Sequence, residues 1–340
     1  MDLLVTTAST PVRVGVIGVG DMGAAHVRTL SRWVPAASVV TAYDPDTDRA
    51  AAVCAEVGGR VAGSATDVIG ADDVDAVLIA APDPLHEALV LACIGVGKPT
   101  LCEKPLTTTP EGSQRVVDAE VDAGRRLVQV GFMRRYDPAY VQLRQLCADG
   151  ALGNARVVHC VHRNRQAGPG ATSEGIIYNS MIHELDTVPW LLGDPLAAIT
   201  VSAAQVPDGD LRDPQVALIE TAGGRLVTIE VFVNAGYGYD VQCEVVGERG
   251  TARLTPPYGL GVRSERVDGV VVADDFVARF EDAYRIELSA WVASLVSGTP
   301  TGPSAWDGHR ANLAAAAGVE SLHAGRRVAI SMPNVPALYR

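Results

Sequence analysis

The sequence predicts an α/β domain with a doubly wound parallel sheet, followed by an α+β domain with a large, open, mainly antiparallel sheet. In residues 1–131, short apolar runs alternate with helical segments, as in parallel strands covered on both faces. In residues 132–340, strand-like runs follow one another with turn residues between them, which indicates antiparallel pairing. We therefore expect a domain boundary after residue 131, with the last helix (about 305–325) packing back on the first domain.

Five apolar runs predict the strands of the first sheet. In chain order they read VRVGVIGVG, SVVTAYD, DAVLIAAP, PTLCEK and RLVQVGF. Each of the first four is followed by a helical segment, and these segments begin DMGAAHV, PDTDRAA, PLHEALV and TPEGSQR. Strands with so few polar residues are typical of a sheet that is buried on both faces.

Seven strand-like runs predict the second sheet, after a first helix in DPAYVQLRQLCADG. They read ARVVHCVHRN, ITVSAAQ, QVALIET, RLVTIEVFVN, YDVQCEVVG, TARLTP and VRSERVDGVVVADD. One amphipathic helix, IIYNSMIHELDTVPWLLG, interrupts the series, and two more helices (about 279–297 and 305–325) end the chain. The alternating strands leave one sheet face open, and its apolar content predicts self-association.

Composition and charge narrow the classes of function. The chain has 340 residues, of which 48% are hydrophobic, and a net charge of −12, which argues against nucleic acid or an anionic membrane as partner. No apolar run approaches the roughly 20 residues that span a bilayer. The first ten residues have neither a basic region nor an apolar core, so we expect no signal peptide. A cytoplasmic protein is the resulting prediction.

Cysteine and histidine spacing predicts no metal site. The six cysteines are scattered without a C-x-x-C pair, as expected of small buried side chains in a reducing compartment. His159 and His162 are the only close pair of histidines, and on a strand residues three apart point to opposite faces.

A glycine-rich turn between the first strand and the first helix predicts a dinucleotide site. GVGDMG places Gly18, Gly20 and Gly23 in the G-x-G-x-x-G pattern, with Asp21 and Met22 between them. The first glycine permits a tight turn, the second lets the backbone approach a pyrophosphate, and the third lets helix and strand pack closely. The alternative is a plain packing turn, but the strand-to-helix context favours the nucleotide, as in a Rossmann domain.

Asp44 ends the second strand, where a carboxylate accepts hydrogen bonds from the adenosine ribose. The same charge would repel a 2′-phosphate, so we predict NAD as the cofactor in preference to NADP. Arg49 is near enough to complicate that preference, although on the following helix we expect it to pair with Asp46 or to face solvent.

Lys104 follows the fourth strand, at the carboxyl edge where ligands bind in doubly wound sheets. We expect Glu103 and Lys104 to face the cofactor crevice, together with Ala81 at the end of the third strand. Pro105 restricts the backbone before it and so helps to fix the direction of Lys104. The alternative is a solvated loop lysine.

Three polar residues share one face of the helix predicted in IIYNSMIHELDTVPWLLG. Asn179, His183 and Asp186 fall at i, i+4 and i+7 among Ile, Met, Leu, Val and Trp. His183 is then either a satisfied core residue or a proton acceptor that faces a cavity.

These motifs together resemble the Gfo/Idh/MocA oxidoreductase family. The resemblance rests on the glycine pattern, on EKP at Glu103 to Pro105 and on HELD at His183 to Asp186. Longer stretches extend it, among them CEKPLTTTPEG, RLVQVGFMRRYDPAYVQL, HCVHRN, YGYDVQCEVVGERG and GPSAWDG. The resemblance implies an NAD-dependent oxidation of a secondary alcohol on a small cyclitol or sugar.

The same resemblance implies roles for individual residues. Lys104 and His183 would lie beside the nicotinamide and the oxidised carbon, and Asn179 stands where inositol-oxidising members commonly carry aspartate. Asn179 and Asp186 would then hold the imidazole. The substrate-binding residues implied are Lys104, Arg134, Asn164, Asn179, His183, Tyr237, Tyr239 and Tyr284. His86 resembles a position on the nicotinamide side of the cleft, and the alternative is a residue at the start of a helix that bonds backbone.

The activity that the resemblance implies is oxidation of myo-inositol to 2-keto-myo-inositol. Asn179 leaves open a related substrate (scyllo-inositol, an aminocyclitol or a hexose), and a non-catalytic NAD-binding sensor is a further alternative. A homotetramer built through the open sheet is also implied.

Overall fold

Six parallel strands form the first sheet of the structure, a computed structural model that describes residues 10–207, 210–255, 261–264 and 266–340. The strands are β1 (Val12–Ile17), β2 (Ala37–Tyr43), β3 (Arg60–Val61), β4 (Ala76–Ile79), β5 (Thr100–Glu103) and β6 (Val128–Gly131). Their order is β3-β2-β1-β4-β5-β6 and all pairs are parallel, so the predicted doubly wound sheet is confirmed. The order reverses between β1 and β4, which opens a crevice at the carboxyl ends of these strands.

Five helices connect these strands. They are α1 (Asp21–Trp33), α2 (Thr47–Val57), α3 (Ala65–Gly70), α4 (His86–Gly95) and α5 (Pro110–Ala123). The α2 helix is capped by the Asp46 side chain and α5 by Thr109, while Gly58 and Gly124 end them in the left-handed conformation. The sequence patterns did not predict β3 and α3, because two and six residues are too few to establish a period.

The second sheet has seven strands in the order β12-β11-β7-β10-β9-β8-β15. They are β7 (Ala155–Arg163), β8 (Leu196–Ala203), β9 (Gln215–Thr221), β10 (Leu226–Phe232), β11 (Asp240–Gly247), β12 (Thr251–Arg253) and β15 (Val328–Ala329), and a separate hairpin pairs β13 (Gly261–Ser264) with β14 (Val267–Val270). Within the described part of this sheet only β7 and β10 pair in parallel, so the prediction of a mainly antiparallel sheet is confirmed. The last predicted run, VRSERVDGVVVADD, is an exception, because its described strands form the separate hairpin, and β15 takes the edge of the sheet instead.

The helices of residues 132–340 cover one face of this seven-stranded sheet, and the last two also contact the first domain. They are α6 (Pro138–Ala148), the single turn α7 (Ser173–Gly175), α8 (Ile182–Leu192), α9 (Phe276–Arg279), α10 (Glu281–Ser297) and α11 (Ala305–Ala324). Short 3-10 turns occupy Asp83–Leu85, Met133–Tyr136 and Ala337–Tyr339.

The prediction of one regular helix around His183 is wrong. Residues Ile176–Met181 form a π-helical turn, and the α-helix α8 begins only at Ile182. A π turn holds more residues per turn than an α-helix and occurs often at functional sites. Side chains four apart across this junction therefore no longer stack on one face.

Both C-terminal helices contact the first domain. Trp291 on α10 belongs to the buried hydrophobic cluster that contains Val14 and Leu30, on one face of the first sheet. Trp306 on α11 belongs to the cluster that contains Ile79, on the other face. The boundary predicted after residue 131 falls where β6 ends, and it stays a prediction because the chain crosses back in this way.

None of the helices described here is long and apolar enough to cross a membrane. Within the same residues, no group of three or more histidine, cysteine or acidic side chains is arranged to hold a metal ion. The expectation about a signal peptide concerns residues 1–10, of which all but Thr10 lie outside the described part of the chain.

Candidate active site

The turn between β1 and α1 has the backbone shape that a dinucleotide requires. Gly18 has a φ of +85°, and a Cβ there would lie 2.5 Å from the Ala80 carbonyl oxygen. A Cβ on Gly23 would lie 1.9 Å from the Gly18 carbonyl oxygen, so helix and turn touch. A Cβ on Gly20 would meet no described atom within 4 Å. The open space is at the one glycine where a pyrophosphate has to approach, in front of the first amides of α1.

Replacement by alanine should have different effects at two of these glycines. Gly23→Ala forces a side chain into backbone, so we expect it to destabilise the fold by at least about 3 kcal/mol. Gly20→Ala fills only the open space, so its melting temperature should stay unchanged while its affinity for NADH falls. Thermal melts and NADH fluorescence titrations of both variants measure the difference. Wild-type NADH affinity in Gly20→Ala would contradict this assignment of the pyrophosphate site.

Asp44 is held in place beside this turn. Its Oδ2 accepts a hydrogen bond from the Val19 amide at 2.9 Å, and its Oδ1 accepts from the Asp46 amide at 2.9 Å. Arg49 lies 3.2 Å from Asp46 and 3.5 Å from Asp44, so the expected pairing of Arg49 with Asp46 is confirmed. Each carboxylate oxygen can accept a further hydrogen bond, and the fixed carboxylate suits a ribose hydroxyl.

His86 bonds backbone on both sides of its ring. Its Nδ1 lies 2.7 Å from the Pro105 carbonyl oxygen and its Nε2 lies 2.8 Å from the Ala81 carbonyl oxygen, and the side chain is buried. The structure therefore favours the alternative of a residue that bonds backbone, in which His86 ties together two of the loops at the carboxyl edge of the sheet.

A cavity of about 360 Å³ lies between the carboxyl edge of the first sheet and the second domain. The loop 167–172 forms part of its wall. Its other lining residues include Met22, Glu103, Lys104, His162, Asn164, Asn179, His183, Tyr239, Phe276 and Tyr284. Eight of the residues that the sequence assigned to a cofactor or substrate therefore meet in one place.

His183 is buried at the cavity wall, and its Nδ1 has no hydrogen-bond partner in the described part of the chain. Burial lowers the pKa of His183 well below 6.5, and the positive charges of Arg134 and Lys104 lower it further. A satisfied core histidine would have a partner for each ring nitrogen. This imidazole is instead neutral, unpartnered at Nδ1 and beside a cavity, which suits a proton acceptor.

Lys104 reaches the π turn across the cavity. Its Nζ donates a hydrogen bond to the Asn179 backbone carbonyl oxygen at 3.2 Å. That carbonyl belongs to the π turn that ends one residue before α8. The irregular turn thus presents a backbone acceptor to the lysine, four residues before His183 in the sequence.

Two expected supports of the imidazole are not found in the structure. Asn179 is exposed and lines the cavity, and no hydrogen bond joins its side chain to His183 in the described structure. The π turn explains this, since it breaks the i to i+4 alignment. Asp186 does not support the imidazole either, because its Oδ2 accepts a hydrogen bond from Arg135 Nε at 2.9 Å.

Two further residues expected at the substrate lie outside the cavity wall. Arg134 is 1% exposed and forms an ion pair with Glu184, and its Nη2 is 3.2 Å from His162 Nδ1. Tyr237 is half exposed, and its hydroxyl donates to Asp240 at 2.6 Å. Neither residue lines the cavity, so a direct contact with the substrate stays a prediction for both.

His162 is a cavity residue that the sequence analysis missed. It is buried, its ring centroid is 5.9 Å from that of His183, and Tyr239 meets it edge-on at 5.8 Å. The alternation of β7 places it on the inward face with Val158 and Cys160. The same alternation can be read from the sequence, where we used it only as an argument against a metal site.

Comparison with known proteins agrees with both halves of this arrangement. Residues 12–132 match the model of an oxidoreductase family with an NAD-binding Rossmann fold, and residues 140–253 match the GFO/IDH/MocA C-terminal domain. Inositol 2-dehydrogenase 1 of Saccharopolyspora erythraea is 46% identical over 96% of this chain and 99% of its own length. Inositol 2-dehydrogenase of Klebsiella pneumoniae is 43% identical over 96% of this chain and 99% of its own length.

A solved structure has the same fold along almost the whole chain. The myo-inositol dehydrogenase from Lactobacillus casei, in complex with NAD(H) and myo-inositol, superposes with a TM-score of 0.92 at 36% identity, over 97% of this chain and 100% of that one. With matches to both family domains and relatives of this similarity, the chain belongs to the GFO/IDH/MocA family of NAD-dependent oxidoreductases.

Proposed function

We propose that this chain catalyses the NAD-dependent oxidation of myo-inositol to 2-keto-myo-inositol. The main support for this reaction is His183, which is buried and neutral and has an unpartnered Nδ1. It lies with Lys104 in the cavity at the carboxyl edge of the dinucleotide-binding sheet. The choice of myo-inositol is supported by relatives named inositol 2-dehydrogenase and by the fold shared with a myo-inositol complex.

The residues present fit NAD. The open space at Gly20 and the first amides of α1 would hold the pyrophosphate, and Asp44 would accept from the adenosine ribose. A carboxylate fixed at this position favours NAD over NADP. When bound, NAD supplies the hydride acceptor. Lys104 and Glu103 line the cavity from the end of β5, on the same edge of the sheet.

Two side chains act on the hydroxyl group that is oxidised, one on its proton and the other on its oxygen. His183, as neutral imidazole, takes the proton of the hydroxyl that is oxidised. Lys104 donates a hydrogen bond to the same oxygen and stabilises the negative charge that develops there. The Asn179 carbonyl, 3.2 Å from Lys104 Nζ, keeps the ammonium at the cavity wall.

The cavity suits a small neutral polyol. Its volume of about 360 Å³ is at the low end of small-molecule sites. Asn164 Oδ1 is buried and unpartnered among the described residues, so it is free to accept from a hydroxyl. Tyr239, Tyr284 and His162 add polar atoms to the wall. The set offers hydrogen bonds in several directions without a large excess of charge.

Initial rates of NADH formation test this proposal. Purified protein is assayed with myo-inositol, scyllo-inositol, chiro-inositol, an aminocyclitol and glucose, with NAD and NADP in parallel. The expected result is the highest kcat/KM for myo-inositol with NAD. A preference for another of these polyols would keep the mechanism and replace the substrate. Bound NADH without turnover of any of them would support the non-catalytic sensor and overturn the proposal.

The lowered pKa of His183 predicts the acid limb of the pH profile. A base works while it is deprotonated, so kcat/KM should stay constant as pH falls through 6.5 and decline only well below it. The same shift affects folding: the unfolded histidine takes up a proton below 6.5 while the folded one does not, so stability decreases as pH falls below 6.5. A limb centred at 6.5 would contradict a buried, neutral base.

The open sheet suggests how the chain assembles. Helices cover one face, and the other exposes Val216 and Leu218 of β9 and Leu226 of β10. We propose that this face mediates a homotetramer, which light scattering of the purified protein measures directly.

All six cysteines are free thiols, which fits the expected reducing cytoplasm.

A further inference from the structure

A buried histidine and a buried carboxylate lie directly beneath the lysine of the cavity. His26 on α1 is 1% exposed, and its Nε2 is 2.7 Å from Glu103 Oε1. The other carboxylate oxygen, Oε2, accepts a hydrogen bond from the Lys104 amide at 3.2 Å. The Glu103 carboxylate therefore joins α1 to the backbone of the lysine.

Packing fixes this pair from two sides. The ring of Tyr284 meets the His26 ring edge-on, with centroids 5.6 Å apart. A Cβ on Gly131 would lie 3.1 Å from the Glu103 carboxyl carbon, so the backbone of β6 closes the other side. Burial raises the pKa of Glu103, but the hydrogen bond and charge of His26, with Lys104, outweigh it and lower the pKa below 4.5. Glu103 is thus an ionised group with its position set by His26.

We propose that His26 is a positioning residue, which acts through Glu103 to hold Lys104 in its working place and to tie that lysine to the helix at the dinucleotide turn. This rests on the proposed function. The contact is between two elements with separate tasks: α1 begins at the glycine turn, and β5 ends at the lysine. Movement of Glu103 would shift the Lys104 backbone, and a displaced ammonium would stabilise the oxygen less well.

A pair of substitutions separates positioning from simple packing. The side-chain amide of His26→Gln can reach the place of Nε2 and donate to Glu103, whereas that of His26→Asn reaches only the place of Nδ1. Both replace a buried ring with a smaller amide, so their effects on stability should be similar. Only the longer one preserves the hydrogen bond.

The measurement is kcat and NADH affinity for both variants, below their melting temperatures. We expect kcat to fall roughly 10- to 100-fold in His26→Asn and to stay within about threefold in His26→Gln. NADH affinity should change little in either, because neither touches the glycine turn. Equal losses in both variants, or no loss in either, would overturn the proposal.

His309 supplies the matched control. It is also buried, and its Nδ1 is 2.8 Å from the Ser113 hydroxyl, between α11 and α5 and outside the cavity wall. His309→Gln and His309→Asn should leave kcat unchanged at temperatures where they are folded. Should His309→Asn lower kcat as much as His26→Asn, the effect would be packing and the proposal would fail.

Crystal structures of the two His26 variants give a readout that does not depend on turnover. The contact between Glu103 and the Lys104 amide should persist in His26→Gln and be lost in His26→Asn. The same contact in both structures would overturn the positioning role. Absence of turnover in the wild-type protein would instead refute the proposed function, so the two failures can be told apart.

Discussion

Replacing His183 with alanine should lower kcat by about 10²- to 10⁴-fold, the contribution typical of a general base. The variant loses the only group that we assign to the hydroxyl proton, while the glycine turn and Asp44 stay in place. NADH affinity should therefore remain close to that of the wild type. Steady-state kinetics with myo-inositol and an NADH titration measure the two effects separately.

His323→Ala is the control for this substitution. His323 is exposed and pairs with Glu174 at 3.0 Å, so its loss should leave kcat unchanged. If His183→Ala retained kcat within about threefold of the wild type, His183 would be a scaffold residue and the mechanism would be wrong.

Replacing Arg134 with methionine should destabilise the fold by about 3–5 kcal/mol, because it leaves a buried carboxylate without its partner. Arg134 and Glu184 are 1% and 2% exposed, and the arginine is the main positive charge beside that carboxylate. Urea denaturation of the variant and the wild type gives the difference in free energy of unfolding.

Arg156→Met is the matched control. Arg156 pairs with Glu248 on the surface, where an ion pair contributes at most about 1 kcal/mol. Equal destabilisation in the two variants would show that burial of the Arg134 pair has no special effect, and Arg134 would then need another explanation.

The sequence predicted those features that depend on local pattern. Apolar runs without polar residues indicated the parallel strands, and alternating runs indicated the second sheet. The spacing of Gly18, Gly20 and Gly23 identified the dinucleotide turn because each position has its own steric requirement. The polar side chain of His183 in an apolar helix marked it as a candidate, and the family resemblance implied its role.

The sequence could not predict features that depend on contacts between distant elements. The residue types of the π turn at Ile176–Met181 do not distinguish it from an α-helix. The sequence analysis therefore placed Asn179 and His183 on one helix face, which is wrong. Arg134 faces Glu184, 50 residues away in sequence, and only the tertiary fold brings them together. The contact between His26 and Glu103 spans 77 residues and leaves no local pattern.

The most direct test of the account uses myo-inositol with deuterium at carbon 2. The protein is allowed to react with unlabelled NAD, and the reduced cofactor is isolated and examined by mass spectrometry. We predict one deuterium in the reduced cofactor and 2-keto-myo-inositol as the product, with the rate lost in His183→Ala. A reduced cofactor without deuterium would mean that another carbon is oxidised, and no reduced cofactor at all would contradict the proposed dehydrogenase activity.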